Sequence, residues 1–259
     1  MENLNPLISI ITVVKNGEKH LEECFQSLQN QTYKNFEHIV IDGGSTDRTL
    51  EIINNHKNKI NFFSSQKDEG IYDGFNKGMK HVSGEYLGFL NSDDVLLPNA
   101  LMILKKYIVN KNYPDFIFGS VRKHWGVLYG YRPWKIKFSW GFYSSHSTGF
   151  YIKNSSAKII GNYNLKYKYS SDYDYFYRMI VKHKMRGVAT KKDEIFGIFR
   201  RGGFSSKINF VDHFKEEIQI RIDNGQNKII ISIISIYKFM KHFNKFYQYY
   251  KNKFKLNLK

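Results

Sequence analysis

Four short apolar segments, residues 7–14, 36–41, 60–63 and 85–90, constrain this chain more than any other feature, because each is separated from the next by helix-patterned sequence. Residues 7–14 are rich in β-branched side chains and are bounded by Pro6 and the Asn16-Gly17 turn, the signature of a buried strand. Leu21, Phe25 and Leu28 then recur at helical spacing. Leu50 and Ile53 mark a second helix, with Thr46 or Asp47 as its N-cap, and residues 71–82 a third. A fifth strand is expected over 115–121. Alternating strands and helices predict an α/β fold: a mostly parallel sheet with helices on both faces, since parallel neighbours need a crossover between them.

Beyond residue 121 the pattern changes. Residues 125–150 are rich in Trp, Tyr, Gly and Ser without helical period, which predicts antiparallel strands and loops. Residues 170–185 return to helix, with Phe176, Met179 and Ile180 on one face, and residues 194–206 read as a strand followed by a glycine-containing loop. At the end, Ile229, Ile233, Ile236, Met240, Phe243, Tyr247, Tyr250 and Phe254 step by four and three, a sustained apolar helix face with Lys238, Lys241 and Lys245 largely opposite. The expected organisation is one domain over 1–215, with halves at about 7–121 and 122–206, and a basic helical extension over 216–259.

Composition narrows the function classes. Forty Lys and Arg against 23 Asp and Glu leave a formal charge of +17, which favours an anionic partner. The lone Cys24 excludes an intramolecular disulfide and a Cys-rich zinc site. The opening residues are polar and acidic and no stretch approaches 18 uninterrupted apolar residues, so a cytoplasmic protein without a membrane span is expected. No G-x-G-x-x-G follows the first strand, which argues against dinucleotide binding.

In open parallel sheets ligands bind at the carboxyl ends of the strands. Three of those ends carry polar clusters: Lys15-Asn16, residues 42–47, and Asn91-Ser92-Asp93-Asp94. The last is the most demanding, because adjacent carboxylates at the mouth of an apolar strand repel one another and resist desolvation. Either Asp93 or Asp94 punctuates the turn before the helix that opens at Asn99-Ala100-Leu101, or something positive is bound there.

These segments resemble the family-2 glycosyltransferases of GT-A fold. The resemblance is carried by "SIITVVKNGEKHLEECFQSLQNQTYKNFEHIVIDGGSTDRT" (9–49), "DEGIYDGFNKGMKHVSGEYLGFLNSDD" (68–94) and "SDYDYFYRM" (171–179). The "GIYDG", "FLNSDD" and "FRRGGFSS" variants are most similar to bacterial enzymes that build surface polysaccharides such as capsule. The resemblance implies a nucleotide-binding half over 7–121 and an acceptor half over 122–206. It implies an inverting, metal-assisted hexosyl transfer from a nucleotide-diphosphate sugar, UDP-linked by expectation, to a glycan or lipid-linked acceptor. The family's Asp-x-Asp is matched by Asn91-Ser92-Asp93, so Asp93 is the implied ligand of Mn²⁺ or Mg²⁺, Asp94 a second, and Asn91 and Ser92 neighbours of the donor. Such a cation screens the carboxylates and stabilises charge on the leaving diphosphate.

By the same resemblance Asp42 accepts a hydrogen bond from the base, its alternative being a strand-end Asx turn. Thr12 and Val14 supply backbone contacts to the nucleoside, Asn16 and Glu18 close the first loop over it, and Lys67, Asp68 and Gly70 meet the nucleotide or form a solvated loop. Asp172 is the implied general base, Asp174 the alternative, and a helix N-cap the competing role for either. Ser171 replaces the family's common Glu. His146 falls where the sugar pocket is built, and Arg200 and Arg201 stand before Gly202-Gly203 as donors to a diphosphate, where many relatives place a His. Trp125, Trp134 and Trp140 either stack on sugar rings or pack in the protein.

A sugar nucleotidyltransferase shares the architecture but needs a phosphate loop that "VVKNGEKH" lacks, and a glycoside hydrolase needs no nucleotide pocket. A basic nucleic-acid-binding protein would explain the charge but not acids gathered at strand ends, so no nucleic-acid partner is expected. Residues 228–259 carry eight Lys and no acid, which makes an anionic membrane surface, on the inner face of the cell membrane, or a second subunit the candidate partners of the tail.

Overall fold

The computed structural model describes residues 4–138, 147–200 and 209–256. Its strands are β1 (Ile8–Val14), β2 (Phe36–Asp42), β3 (Phe62–Ser65), β4 (Tyr86–Phe89), β5 (Val95–Leu96), β6 (Phe116–Phe118), β7 (Ser120–Lys123), β8 (Gly126–Leu128), β9 (Phe150–Lys153), β10 (Gly187–Ala189) and β11 (Ile195–Ile198). Its helices are α1 (Leu21–Gln29), α2 (Thr49–Asn55), α3 (Ile71–Met79), α4 (Ala100–Asn110), α5 (Lys135–Phe138), α6 (Asn154–Ile160), α7 (Ser171–Tyr177), α8 (Phe210–Asp223), α9 (Lys228–Lys241) and α10 (Phe243–Leu256).

The main sheet has the order β10-β6-β9-β4-β1-β2-β3, and only β9 runs antiparallel to its neighbours. β1 is central and pairs in parallel with β2 and β4. All seven of its residues are buried, because alternate side chains enter different cores. Ile11 and Val13 join Ile39, Ile41, Leu87 and Phe89 against Phe75 of α3. Ile8, Ile10 and Val14 join Val40 and Tyr86 against Leu21, Phe25 and Leu28 of α1 and Leu101 and Leu104 of α4. The expected sheet with helices on both faces is what forms. α3 lies unusually close to β1: a Cβ on Gly74 would stand 2.4 Å from Val13 Cγ1, and one on Gly78 2.5 Å from Ile11 Cγ2.

The single strand expected over 115–121 is two strands in two sheets. β6 belongs to the main sheet, while β7 enters a small sheet of order β5-β11-β7-β8. The change happens at Gly119, whose N–H donates to Gly149 O at 2.7 Å and where a Cβ would strike the Phe196 ring at 2.4 Å. The small sheet begins just past the carboxyl end of β4, since its β5 follows residues 91–94 directly. Of the antiparallel strands expected over 125–150, β8 pairs with the preceding β7 and residues 139–146 lie outside the described residues, while helix α5 does not follow from the composition. The helix expected over 170–185 is α7 continued by a π-turn over Arg178–Lys182.

The tail is helical but not continuous: α9 ends before His242 and α10 begins at Phe243. Residue 215, the expected end of the first domain, falls inside α8. α8 is joined to the sheet domain by Glu216, which accepts from the N–H groups of Lys168 and Tyr169 at 2.8 Å, and by Asp223, which accepts from the Tyr167 hydroxyl at 2.5 Å.

Candidate active site

At the carboxyl ends of β1 and β2 the two following loops are clasped. The N–H of Asn16 donates to Ser45 Oγ at 2.8 Å, and Asn16 Oδ1 accepts from Thr46 N–H at 2.9 Å. Asn16 takes a φ of 51°, which Asn tolerates better than most residues. Gly17 N–H reaches Thr49 Oγ1 at 2.8 Å, Glu18 N–H reaches Asp47 Oδ2 at 3.2 Å, and Glu18 Oε2 accepts from Arg48 N–H at 3.0 Å. Asp47 Oδ1 also accepts from Thr49 N–H at 3.0 Å, but the N-cap of α2 is Arg48, which has no side-chain capping bond, and not Thr46 or Asp47 as expected.

Asp42 ends β2 and is 0% exposed. Its carboxylate accepts from the N–H groups of Gly44 and Ser45, from Ser45 Oγ at 2.5 Å and from Ser65 Oγ at 2.6 Å. This is the Asx-turn geometry; a hydrogen bond to a nucleotide base would need those partners to give way. Thr12 also points inward, with its hydroxyl 3.0 Å from His38 Nε2, and Val14 O accepts from Gly43 N–H at 2.9 Å. Across from this turn, Asp68 lies so close to Gly43 that a Cβ there would stand 2.3 Å from Asp68 Oδ2. Asp68 Oδ1 accepts from Gly70 N–H at 3.2 Å, and Gly70, with φ 124°, opens α3. Lys67 is exposed and its carbonyl accepts from Lys77 Nζ at 3.2 Å.

The cluster after β4 divides into an inner and an outer part. Asp94 is 0% exposed; its Oδ2 accepts from Thr148 Oγ1 at 2.6 Å and Asn91 Nδ2 at 3.3 Å, and its Oδ1 from Arg200 N–H at 3.3 Å. Burial, with Asp93 adding to it, pushes its carboxyl up to about 7. These bonds tie the 91–94 turn to the start of β9 and the end of β11. Asp94, expected as a second metal ligand, accepts hydrogen bonds from the protein on both oxygens. Asp93 is half-buried, and burial raises its carboxyl while His20 and Arg200 favour its ionised form. Ser92 borders Gly17, with its Oγ 3.5 Å from where a Cβ on that glycine would stand. Asn91 donates to Ser147 Oγ at 2.8 Å, but its Oδ1 is buried without a hydrogen-bond partner. A carboxylate beside an orphaned amide oxygen offers the hard oxygen ligands that Mg²⁺ or Mn²⁺ takes. No three His, Cys, Asp or Glu side chains gather into a metal-binding group among the described residues, so a cation here would draw its remaining ligands from elsewhere.

Arg200 stands beside this cluster, with its guanidinium 2.8 Å from His20 Nδ1 and paired with Glu23 of α1. Cys24 is buried under it, its thiol 3.4 Å from Asn91 O and pushed well up by burial.

Asp172 is half-buried near the start of α7. Its Oδ1 accepts from Tyr173 N–H at 2.8 Å and from the Tyr72 hydroxyl at 3.2 Å, and burial raises its carboxyl above the usual carboxylate range. Asp174 is different: it is buried, 2.8 Å from Arg178 Nε and 2.8 Å from Asn224 Nδ2. It therefore fastens α7 to the end of α8. Lys123 of β7 is half-buried. Burial lowers its ammonium's pKa, and the charges of Asp94 and Asp172 both oppose that shift. Its Nζ lies 4.5 Å from the centre of the Phe199 ring.

Sequence reasoning did not single out Lys123, Tyr72 or His20. The "GIYDG" string contained Tyr72 but offered no reason to separate it from the helix around it. Trp125 and Trp134 are exposed and belong to neither core. His146, Arg201 and Trp140 lie outside the described residues.

The sequence model of glycosyl transferase family 2 matches residues 9–176, a span that runs from the second residue of β1 through β4 and the 91–94 turn to beyond Asp172. The chain belongs to that family. This family-2 glycosyltransferase is 28% identical over 207 residues to a PGL/p-HBAD biosynthesis glycosyltransferase of Mycobacterium bovis, covering 74% of this chain and 79% of that one. It is 30% identical over 188 residues to an uncharacterized glycosyltransferase of Methanocaldococcus jannaschii, covering 68% and 65%. Among solved structures, S. aureus TarS in complex with UDP superposes with TM-score 0.65 at 20% identity, covering 92% of this chain and 72% of that one. A Pyrobaculum calidifontis mannosyltransferase in complex with GDP-Man and Mn²⁺ gives 0.63 at 18% identity, covering 89% and 68%. These likenesses show the GT-A fold for this glycosyltransferase.

Proposed function

We propose that this enzyme transfers a hexosyl group, with inversion, from a nucleoside-diphosphate sugar to a glycan or lipid-linked acceptor in the assembly of a bacterial surface polysaccharide. The observation that supports the reading is that Lys123 Nζ lies 4.5 Å from the centre of the Phe199 ring, next to Arg200 whose N–H holds Asp94 at 3.3 Å, with the charges of Asp94 and Asp172 both favouring its ammonium. A diphosphate would then lie beside the 91–94 turn and Lys123, with Asp172 as the base on the acceptor's side. Asp93 and Asn91 Oδ1 would hold a divalent cation, which supplies charge stabilisation to the departing diphosphate when bound. Lys123 would add a cation to the same charge. Asp172, kept accessible and with a raised carboxyl, would take the acceptor's proton as its oxygen attacks the anomeric carbon from the face opposite the diphosphate. A single base in that position supports inversion. Asn16, Glu18, Lys67, Asp68 and Gly70 would form the rim on which a nucleoside rests.

A uridine donor is the first to test, because TarS is seen with UDP; GDP-mannose is the second, because the mannosyltransferase is seen with it. The experiment is a panel of nucleotide-sugars assayed for nucleoside-diphosphate release with Mn²⁺, with Mg²⁺ and with EDTA. Release from one donor, dependent on a divalent ion and lost in Asp172→Asn, is expected. Cleavage of a glycan without any nucleotide, or release of pyrophosphate from a nucleoside triphosphate, would replace the reading.

A further inference from the structure

Helices α9 and α10 cover one side and leave another open. Ile231 and Ile234 of α9 are buried, and Lys238 turns inward to Glu217 of α8 at 3.3 Å. Phe246 of α10 packs with Val211 and Phe214 of α8. Around α9 from these residues, Ile229, Ile233, Ile236 and Met240 step by four, three and four and are 70%, 62%, 59% and 65% exposed. Phe243 and Tyr247 of α10 are 53% and 58% exposed. The Phe239 ring meets the Phe243 ring at 5.6 Å, so the open faces adjoin at the bend near His242. Single exposed apolar side chains are ordinary, but a row of large ones along two consecutive helices is a contact face.

Charge decides what covers it. Residues 228–259 hold eight Lys and no Asp or Glu. Lys238 is neutralised within the fold, but Lys241 and Lys251 are exposed and sit 5.8 Å from the ring centres of Tyr237 and Tyr247, at the border of the apolar face. A second copy of this chain would bring two sets of like charges together. An anionic phospholipid surface takes up both the apolar side chains and the cations. No helix among the described residues is long and apolar enough to cross a membrane, so these helices would lie in the plane of the interface. We infer that α9 and α10 dock the enzyme on an anionic phospholipid surface through Ile229, Ile233, Ile236, Met240, Phe243 and Tyr247. The inference stands independently of the donor and acceptor proposed above.

The test is co-sedimentation of the full chain with vesicles of phosphatidylcholine containing phosphatidylglycerol, against phosphatidylcholine alone. Binding to the anionic vesicles, weakened by salt, is expected. Lys241→Gln with Lys251→Gln should lower the partition coefficient about twenty-five-fold, about fivefold for each lysine. Ile233→Glu with Met240→Glu should abolish binding while the melting temperature and circular dichroism stay near wild type, since both side chains are already exposed. If the apolar pair unfolds the protein, the lysine pair decides alone. Absence of binding to anionic vesicles at low salt, or lysine-pair binding equal to wild type, overturns the inference. So does a wild-type dimer that Ile233→Glu converts to monomer without change in vesicle binding.

Discussion

Tyr72→Phe is the sharpest probe of the proposed base. The substitution keeps the ring, which stacks on Tyr163 at 5.6 Å between centres, and removes only the hydroxyl that donates to Asp172 at 3.2 Å. A hydrogen bond to a charged group contributes about 1.5–3 kcal/mol. The Tyr72 hydroxyl also lies 3.3 Å from Tyr169 O, a competing acceptor, so the lower end applies. About 1.5 kcal/mol corresponds to about one pH unit. The donor favours the ionised carboxylate, so its loss raises the Asp172 pKa further above the range to which burial has already lifted it. A general base works deprotonated. The acidic limb of the pH profile of kcat/KM should therefore move to higher pH by about one unit, while the plateau at high pH changes little. Asp172→Asn, by contrast, should lower turnover about 10²-fold or more at every pH. The assay is nucleoside-diphosphate release with the donor identified from the panel. An acidic limb that stays in place or moves to lower pH in Tyr72→Phe, or an Asp172→Asn enzyme near wild type, refutes the reasoning.

Asp93→Ala should abolish transfer with the melting temperature retained, and EDTA should suppress the wild type; a retained rate in both would remove the cation from the reading. Asp174→Asn should act on stability instead, lowering it by about 2 kcal/mol in urea unfolding because Arg178 loses its counter-charge and keeps only neutral acceptors, while the surviving folded fraction turns over normally. Lys238 has its pKa lowered to about 8, by burial first, so the unfolded chain holds more protons than the native one between about pH 8 and the ordinary lysine value. Wild-type stability should gain about 3 kcal/mol across that window relative to Lys238→Met, and parallel pH curves for the two proteins would show that the ammonium is not titrating there.

Much of the sheet was legible because its strands are buried on both faces and its helices carry a clean period. The reading reached the 91–94 turn for a physical reason: two carboxylates do not follow an apolar strand without compensation. It could not say which carboxylate faces inward, since Asp94 is engaged by Thr148 and Arg200, far along the chain. Likewise Asp172 and Asp174 look equivalent in sequence, and only the arrival of Asn224 separates them. Gly119 hid a change of sheet, because a strand that switches partners looks the same as one that does not. Lys238 was placed opposite the apolar face correctly but is buried there rather than in water, and the break at His242 left no mark in a period that simply continued. Lys123 had no signal at all: its position depends on the small sheet, which forms from three separated stretches.

The clasp between the loops after β1 and β2 has a consequence for how those residues can be altered. Asn16, Glu18 and Asp47 each donate to or accept from the opposite loop, and Gly17 and Arg48 do so through their backbones. Opening either loop strands polar groups on the other, so the amides of Gly17, Glu18, Thr46 and Arg48 form one cooperative unit that should exchange with solvent at a common rate. Substitutions at Asn16 and Asp47 would then be strongly non-additive in a double-mutant cycle. A graft of one loop from a relative would carry its function only together with the other.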